Sequence, residues 1–169
     1  QTLADSPDRV TIDADVLADK IRGAWAGQTI GVSYGFPVEF KYNSALVPDS
    51  HQLLWYEGFL SQLYKLFPEV YDDIYVDLTF MRVLEEQGYD APAQAYADAL
   101  ANADFTLMHA NQTARHNILA GLSPPESGHW LNNPTADDID FQIEADFAGI
   151  MHPGMPNSAA AFTDGIGHI

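Results

Sequence analysis

The chain contains no cysteine, which excludes a disulfide framework, thiol catalysis and a cysteine-ligated zinc site. Basic residues are scarce: seven Lys and Arg stand against 24 Asp and Glu, for a net charge of −17. That balance argues against binding along a nucleic-acid backbone and against attraction to an anionic lipid surface, both of which need clustered cations. A long uncharged stretch, Gly23 to Val38, is interrupted by Gln28, Thr29, Ser33, four glycines and Pro37. A membrane-spanning helix needs roughly eighteen or more consecutive apolar residues, so no span is expected. The six histidines include no His-Glu-x-x-His pair, the spacing that places two imidazoles and a general base on one helix face around zinc.

What is present is enough apolar material for one packed domain: 169 residues, 47% of them hydrophobic. Carboxylates far outnumber their basic partners, which leaves some free to hold a hard cation such as Mg²⁺. Residues 1–12 read as a polar leader, and a start at Gln1 rather than methionine suits either an exported, processed protein or a trimmed one. From residue 13 on, the chain reads as helices separated by Gly and Pro stops, with no run of clean period-two alternation, so an all-α fold is predicted. Asp13 or Asp15 is expected to cap a helix over 16–34. Further helices are expected over 51–67, 72–87, 93–103 and 107–120. A Thr135–Asp138 capping box opens another that runs through about Gly149, and Asn157 caps a last one.

The helix starting near Asp72 is the most informative. At about 100° per residue, its polar arc holds Arg82, Glu85 and Glu86, whereas Asp73 and Asp77 fall among Phe80, Met81 and Leu84. Buried carboxylates need a proton, a partner or a cation, and like charges four apart on a helix repel by about 0.2–0.5 kcal/mol. A bound cation would remove both penalties. Capping and dipole roles for Asp72 and Asp73, with Asp77 hydrogen-bonded, are the other reading. In the first helix, Gly23, Gly27, Gly31 and Gly35 form a ridge without side chains. Each interior glycine costs about 1 kcal/mol of helix stability relative to alanine, so tight packing or a ligand pressed against the ridge is expected. Glu39, between Phe36 and Phe40, is expected to be buried and available for acid–base work.

The order of three features, the ladder from Arg22 to Gly31, the Gly35-x-Pro37-x-Glu39 break and the Asp72-Asp73 pair, resembles the ADP-ribosylglycohydrolase family. The stretch from Asp137 to Pro156 is similar to a bacterial branch of it. The resemblance implies an all-α domain whose cleft holds two Mg²⁺ ions, with Mn²⁺ as an alternative, and which cleaves the bond at the anomeric carbon of an ADP-ribosyl group. It implies that Asp72 and Asp73 are metal ligands and that Glu39 is the loop glutamate over the site. Asp77 is added as a ligand candidate from its helix face. Asn111, His129, Asn132, Asp140, Asp146, Gly149 and His152 are candidates for contacting substrate. The family's second acidic motif lies late in a longer chain, so the sequence is expected to be the N-terminal portion of a larger protein or to pair with another copy. Another glycoside or nucleoside as substrate, and an inactive binding module, are the alternatives to ADP-ribosyl hydrolysis.

Overall fold

The computed structural model describes residues 11–169; most of the polar leader lies outside the described residues. Among them are seven α-helices and no strand: α1 (Ala14–Gly35), α2 (Phe59–Leu66), α3 (Asp72–Gln87), α4 (Ala93–Ala101), α5 (His109–Leu119), α6 (Asp140–Met151) and α7 (Pro156–Ile166). The all-α prediction is met. No helix among the described residues is long and apolar enough to cross a membrane. The helices form two compact units, residues 13–71 and a second containing residues 72–169.

In the first unit, the side chain of Asp13 caps α1 by accepting from the backbone N–H groups of Asp15 and Val16 at 2.9 and 3.4 Å. The Ser33 hydroxyl, fully buried, donates to the Thr29 carbonyl and shares a 2.7 Å hydrogen bond with the Tyr71 hydroxyl. Tyr71 in turn stacks on Tyr64 of α2, with ring centroids 3.8 Å apart. That packing ties the end of α1 to α2 and to the short 3₁₀ turn over Pro68–Tyr71. The predicted helix over 51–67 is shorter than expected: it starts only at Phe59, because Gly58 takes a left-handed conformation with φ 86° that no regular right-handed helix passes through. The glycine ridge also departs from expectation. A Cβ placed on Gly23, Gly27, Gly31 or Gly35 would meet nothing within 4 Å, so no neighbour among the described residues uses the space that these glycines leave.

The second unit is built on α3. Phe80 of α3 meets Tyr96 of α4 edge-on at 5.4 Å and Phe147 of α6 at 6.2 Å, and Phe162 of α7 packs on both Tyr96 and Phe147. Phe80, Tyr96 and Phe147 are all but fully buried. Edge-to-face rings of this kind add about 0.5–1.5 kcal/mol per pair beyond their area burial. Gly88, at φ 80°, ends α3 as predicted, its N–H returning to the Leu84 carbonyl.

Helix α5 carries a dense set of polar residues, and three of them tie the unit together. Arg115 donates to the carbonyls of Leu100, Ala103 and Phe105 at 3.3, 3.0 and 3.0 Å. The guanidinium therefore closes the C-terminal end of α4, where the last carbonyls lack helical partners and the dipole favours a cation. The Asn117 amide donates to the Ser127 and Asn132 carbonyls, and Asn111 is buried. Arg115→Met is expected to lower the free energy of unfolding by about 2–3 kcal/mol, since three part-buried carbonyls lose charge-assisted donors. Urea denaturation measures this, and a change within about 0.5 kcal/mol, the usual range for surface substitutions, would contradict the clamp.

Candidate active site

Acidic residues converge in the second unit from two helices. In α3, buried positions recur at Ile74, Val76, Asp77, Phe80, Val83 and Leu84, so Asp77 lies inward and is 0% exposed; the predicted apolar face is correct. Asp72 and Asp73, in the first turn, are half-buried. In α6 the inward residues are Asp140, Glu144, Phe147 and Ala148, the i, i+4, i+7, i+8 spacing of a single helix face. α3 packs more extensively on α6 than on any other helix.

The predicted face of α6 is therefore wrong. By helical spacing Asp146 shares a face with Ile139, Ile143 and Ile150, which would turn inward as an apolar face; instead Asp146 and Ile139 are exposed, because Phe147 joins the four-ring core and rotates the helix accordingly. The helix also starts four residues later than Ala136. Thr135 does not cap it: its hydroxyl and N–H both bond the Asn133 side-chain carbonyl, a turn that competes with a helix start. At α7, Met155 occupies the cap position expected for Asn157.

Glu144, which the sequence reading passes over, lies at the centre of this face at 5% exposure. Burial, reinforced by the nearby charges of Asp140 and Asp77 and opposed by a hydrogen bond with the Asn111 side chain, pushes its carboxyl up to about 8. Asp140 is also raised, chiefly by burial, with Asp138 and Asp72 adding repulsion; the Asn111 N–H and the nearby His109 act in the opposite direction. The Asp140 carboxylate accepts that N–H at 2.8 Å. It therefore satisfies a free donor in the first turn of α5 from another helix, where the helix dipole also favours an anion. His109, which opens α5 at φ 43°, lies 2.9 Å from Asp138. Asp72 is raised by burial, against hydrogen bonds from its own and the Asp73 backbone. The result is one acidic interior shared by α3, α5 and α6.

Not every predicted residue joins it. Glu39, in the first unit, is exposed rather than buried, because Phe40 beside it turns outward at φ 58° and is 71% exposed. His152 is held by structure: its ring bonds the Ala148 carbonyl at 2.8 Å and packs on Tyr89 and Phe162. Gly149 is exposed, and a Cβ there would meet nothing within 4 Å. His129 and Asn132 lie in the loop before α6; Asn132 is engaged with the Glu126 carbonyl. Asn111 and Asp140, by contrast, belong to the acidic interior. Glu144 could have been found from the sequence by following Asp140, Glu144 and Phe147 as a face instead of the isoleucines.

Among the described residues, no three His, Asp or Glu side chains are grouped so as to hold a metal ion on their own. The donors at the head of α3 are nonetheless all carboxylate oxygens, which suit a hard cation. Mg²⁺ typically keeps several waters and takes only one or two carboxylates, so the chemistry of this donor set fits such an ion.

Carboxylates gathered from two packed helices can hold a proton or a hard cation between them. A family model for ADP-ribosylglycohydrolase matches residues 13–169, and the chain belongs to that family. No curated protein and no solved structure matches it.

The proton on Glu144 gives a test. Its folded value, about 8, lies above the ordinary 4.5, so the native state holds a proton that the unfolded chain releases. The stability this supplies is fully present below about pH 4.5, declines as pH rises and is lost above about pH 8. Glu144→Gln, which stays neutral, should therefore gain stability relative to the parent protein between about pH 5 and pH 9, by on the order of a few kcal/mol. Thermal or urea unfolding across that range measures it; a parent–variant difference independent of pH would refute it.

Proposed function

We propose that this chain is a hydrolase that cleaves the glycosidic bond at the anomeric carbon of an ADP-ribosyl group, using Mg²⁺ held by Asp72 and Asp73. The observation that carries the reading is the acidic interior of α3 and α6 in a chain of this family. When bound, the ion would lower the pKa of a water and orient the ribose hydroxyls. Asp77 stands one turn beyond Asp73 on α3 and, with Asp140, adds negative charge that favours the positive charge developing at the anomeric carbon. Asn111 fixes this carboxylate set through its contacts with Asp140 and Glu144. The water oxygen bonds to the anomeric carbon, the bond to the leaving group breaks, and the leaving group departs with a proton.

Release of ADP-ribose from an ADP-ribosylated peptide, followed with Mg²⁺ present and with a chelator, tests the activity. Calorimetric titration with Mg²⁺ is expected to give a binding isotherm that Asp72→Ala/Asp73→Ala loses. Identical isotherms for the two proteins would remove the metal assignment, and an absence of hydrolysis by the Mg²⁺-loaded parent would remove the activity.

A further inference from the structure

The loop between α5 and α6 bounds a cavity of about 550 Å³, within the roughly 300–1,000 Å³ of sites that take small molecules. Its walls include Gly128, His129, Trp130, Asn133, Asp137 and His168, and no Lys or Arg lines it. The loop is held in place. Asn117 bonds two of its carbonyls, Asn132 reaches back to the Glu126 carbonyl at 2.8 Å, and the Asn133 side chain donates to Ala110 at 3.0 Å. At Gly128 the backbones of His168 and Ile169 approach so closely that a Cβ would lie 2.9 Å from them, so only glycine fits there. The walls are accordingly fixed before any ligand arrives, which reduces the ordering cost of binding.

On this rigid loop Trp130 is 69% exposed, with its ring tilted against His129 at 5.6 Å. A large aromatic side chain held in water beside a cavity presents a π face to whatever enters. Its quadrupole attracts cations, Arg-like guanidinium and quaternary ammonium groups above all. Asp137, also exposed, supplies a negative charge at the same cavity. An anionic ligand would meet this carboxylate with no Lys or Arg in the lining to offset it, only the imidazoles of His129 and His168, and a chain of net charge −17 would repel it further.

We propose that this cavity is a binding site for a small organic cation, its guanidinium or alkylammonium head placed between the indole of Trp130 and the carboxylate of Asp137. The site is separate from the carboxylates of α3 and does not depend on the hydrolase reading.

The test titrates the whole chain with agmatine, and with AMP as the anionic control, while following tryptophan fluorescence. Because Trp25 and Trp55 also emit, the signal that matters is the difference between the parent and Trp130→Phe. Agmatine is expected to give a saturable change that Trp130→Phe abolishes. Asp137→Asn is expected to weaken it by about two- to fivefold, the scale of one exposed charge or cation–π contact. Both side chains are exposed, so the variants are expected to fold, as circular dichroism would verify. No saturable change with agmatine, a response indifferent to Asp137→Asn, or an equal response to AMP would each overturn the proposal.

Discussion

The hydrogen bond from the Asn111 N–H to the Asp140 carboxylate, 2.8 Å long and buried, is the contact around which the second unit is organised. It joins the N-terminal end of α5 to the first turn of α6, and it does so with an anion placed where a helix dipole favours one. That placement allows a second carboxylate, Glu144, to be buried one turn further on, at the cost of a retained proton. α3 then closes against α6 with a third, Asp77. The arrangement is electrostatically expensive, because burial and mutual repulsion act in the same direction on Asp140 and Glu144. The aromatic cluster of Phe80, Tyr96, Phe147 and Phe162, on α3, α4, α6 and α7, supplies apolar stabilisation to oppose it.

This division of labour explains how a fold with so few basic residues carries an acidic interior. Arg115, one of only seven Lys and Arg in the chain, is engaged with main-chain carbonyls at the end of α4. Arg82 forms an exposed pair with Glu86 at 2.8 Å, of a type that water and salt screen to little net stabilisation. For Asp140, the opposing side-chain charge is that of His109. A carboxylate buried in such an interior can retain a proton, as Glu144 does.

The sequence disclosed the parts of the fold whose signals are local. Helix α3 was legible from end to end because its 3.6-residue period, the acidic first turn and Gly88 agree, and the inward position of Asp77 followed from that period. The cap at Asp13 was legible for the same reason. What depended on tertiary context was not. The isoleucines of α6 outnumber its single inward phenylalanine, yet Phe147 sets the face because it fits the ring cluster, and so Asp146 was chosen over Glu144. The start of α2 depended on the left-handed Gly58, whose conformation no composition rule fixes. Glu39 was expected inside because aromatic neighbours usually bury, whereas Phe40 turns outward. Asn111, Arg115 and Asn117 share one helix, and only their partners in α4, α6 and the following loop reveal that they are structural.

The central proposal is that the carboxylate interior of α3, α5 and α6 is where an ADP-ribosyl group is received. The most direct measurement is a backbone amide NMR map of the whole chain as ADP-ribose is added with Mg²⁺ present. The account predicts the largest saturable shifts at Asp72, Asp73, Asn111 and Asp140. Shifts confined to other parts of the chain, or none at all, would contradict it.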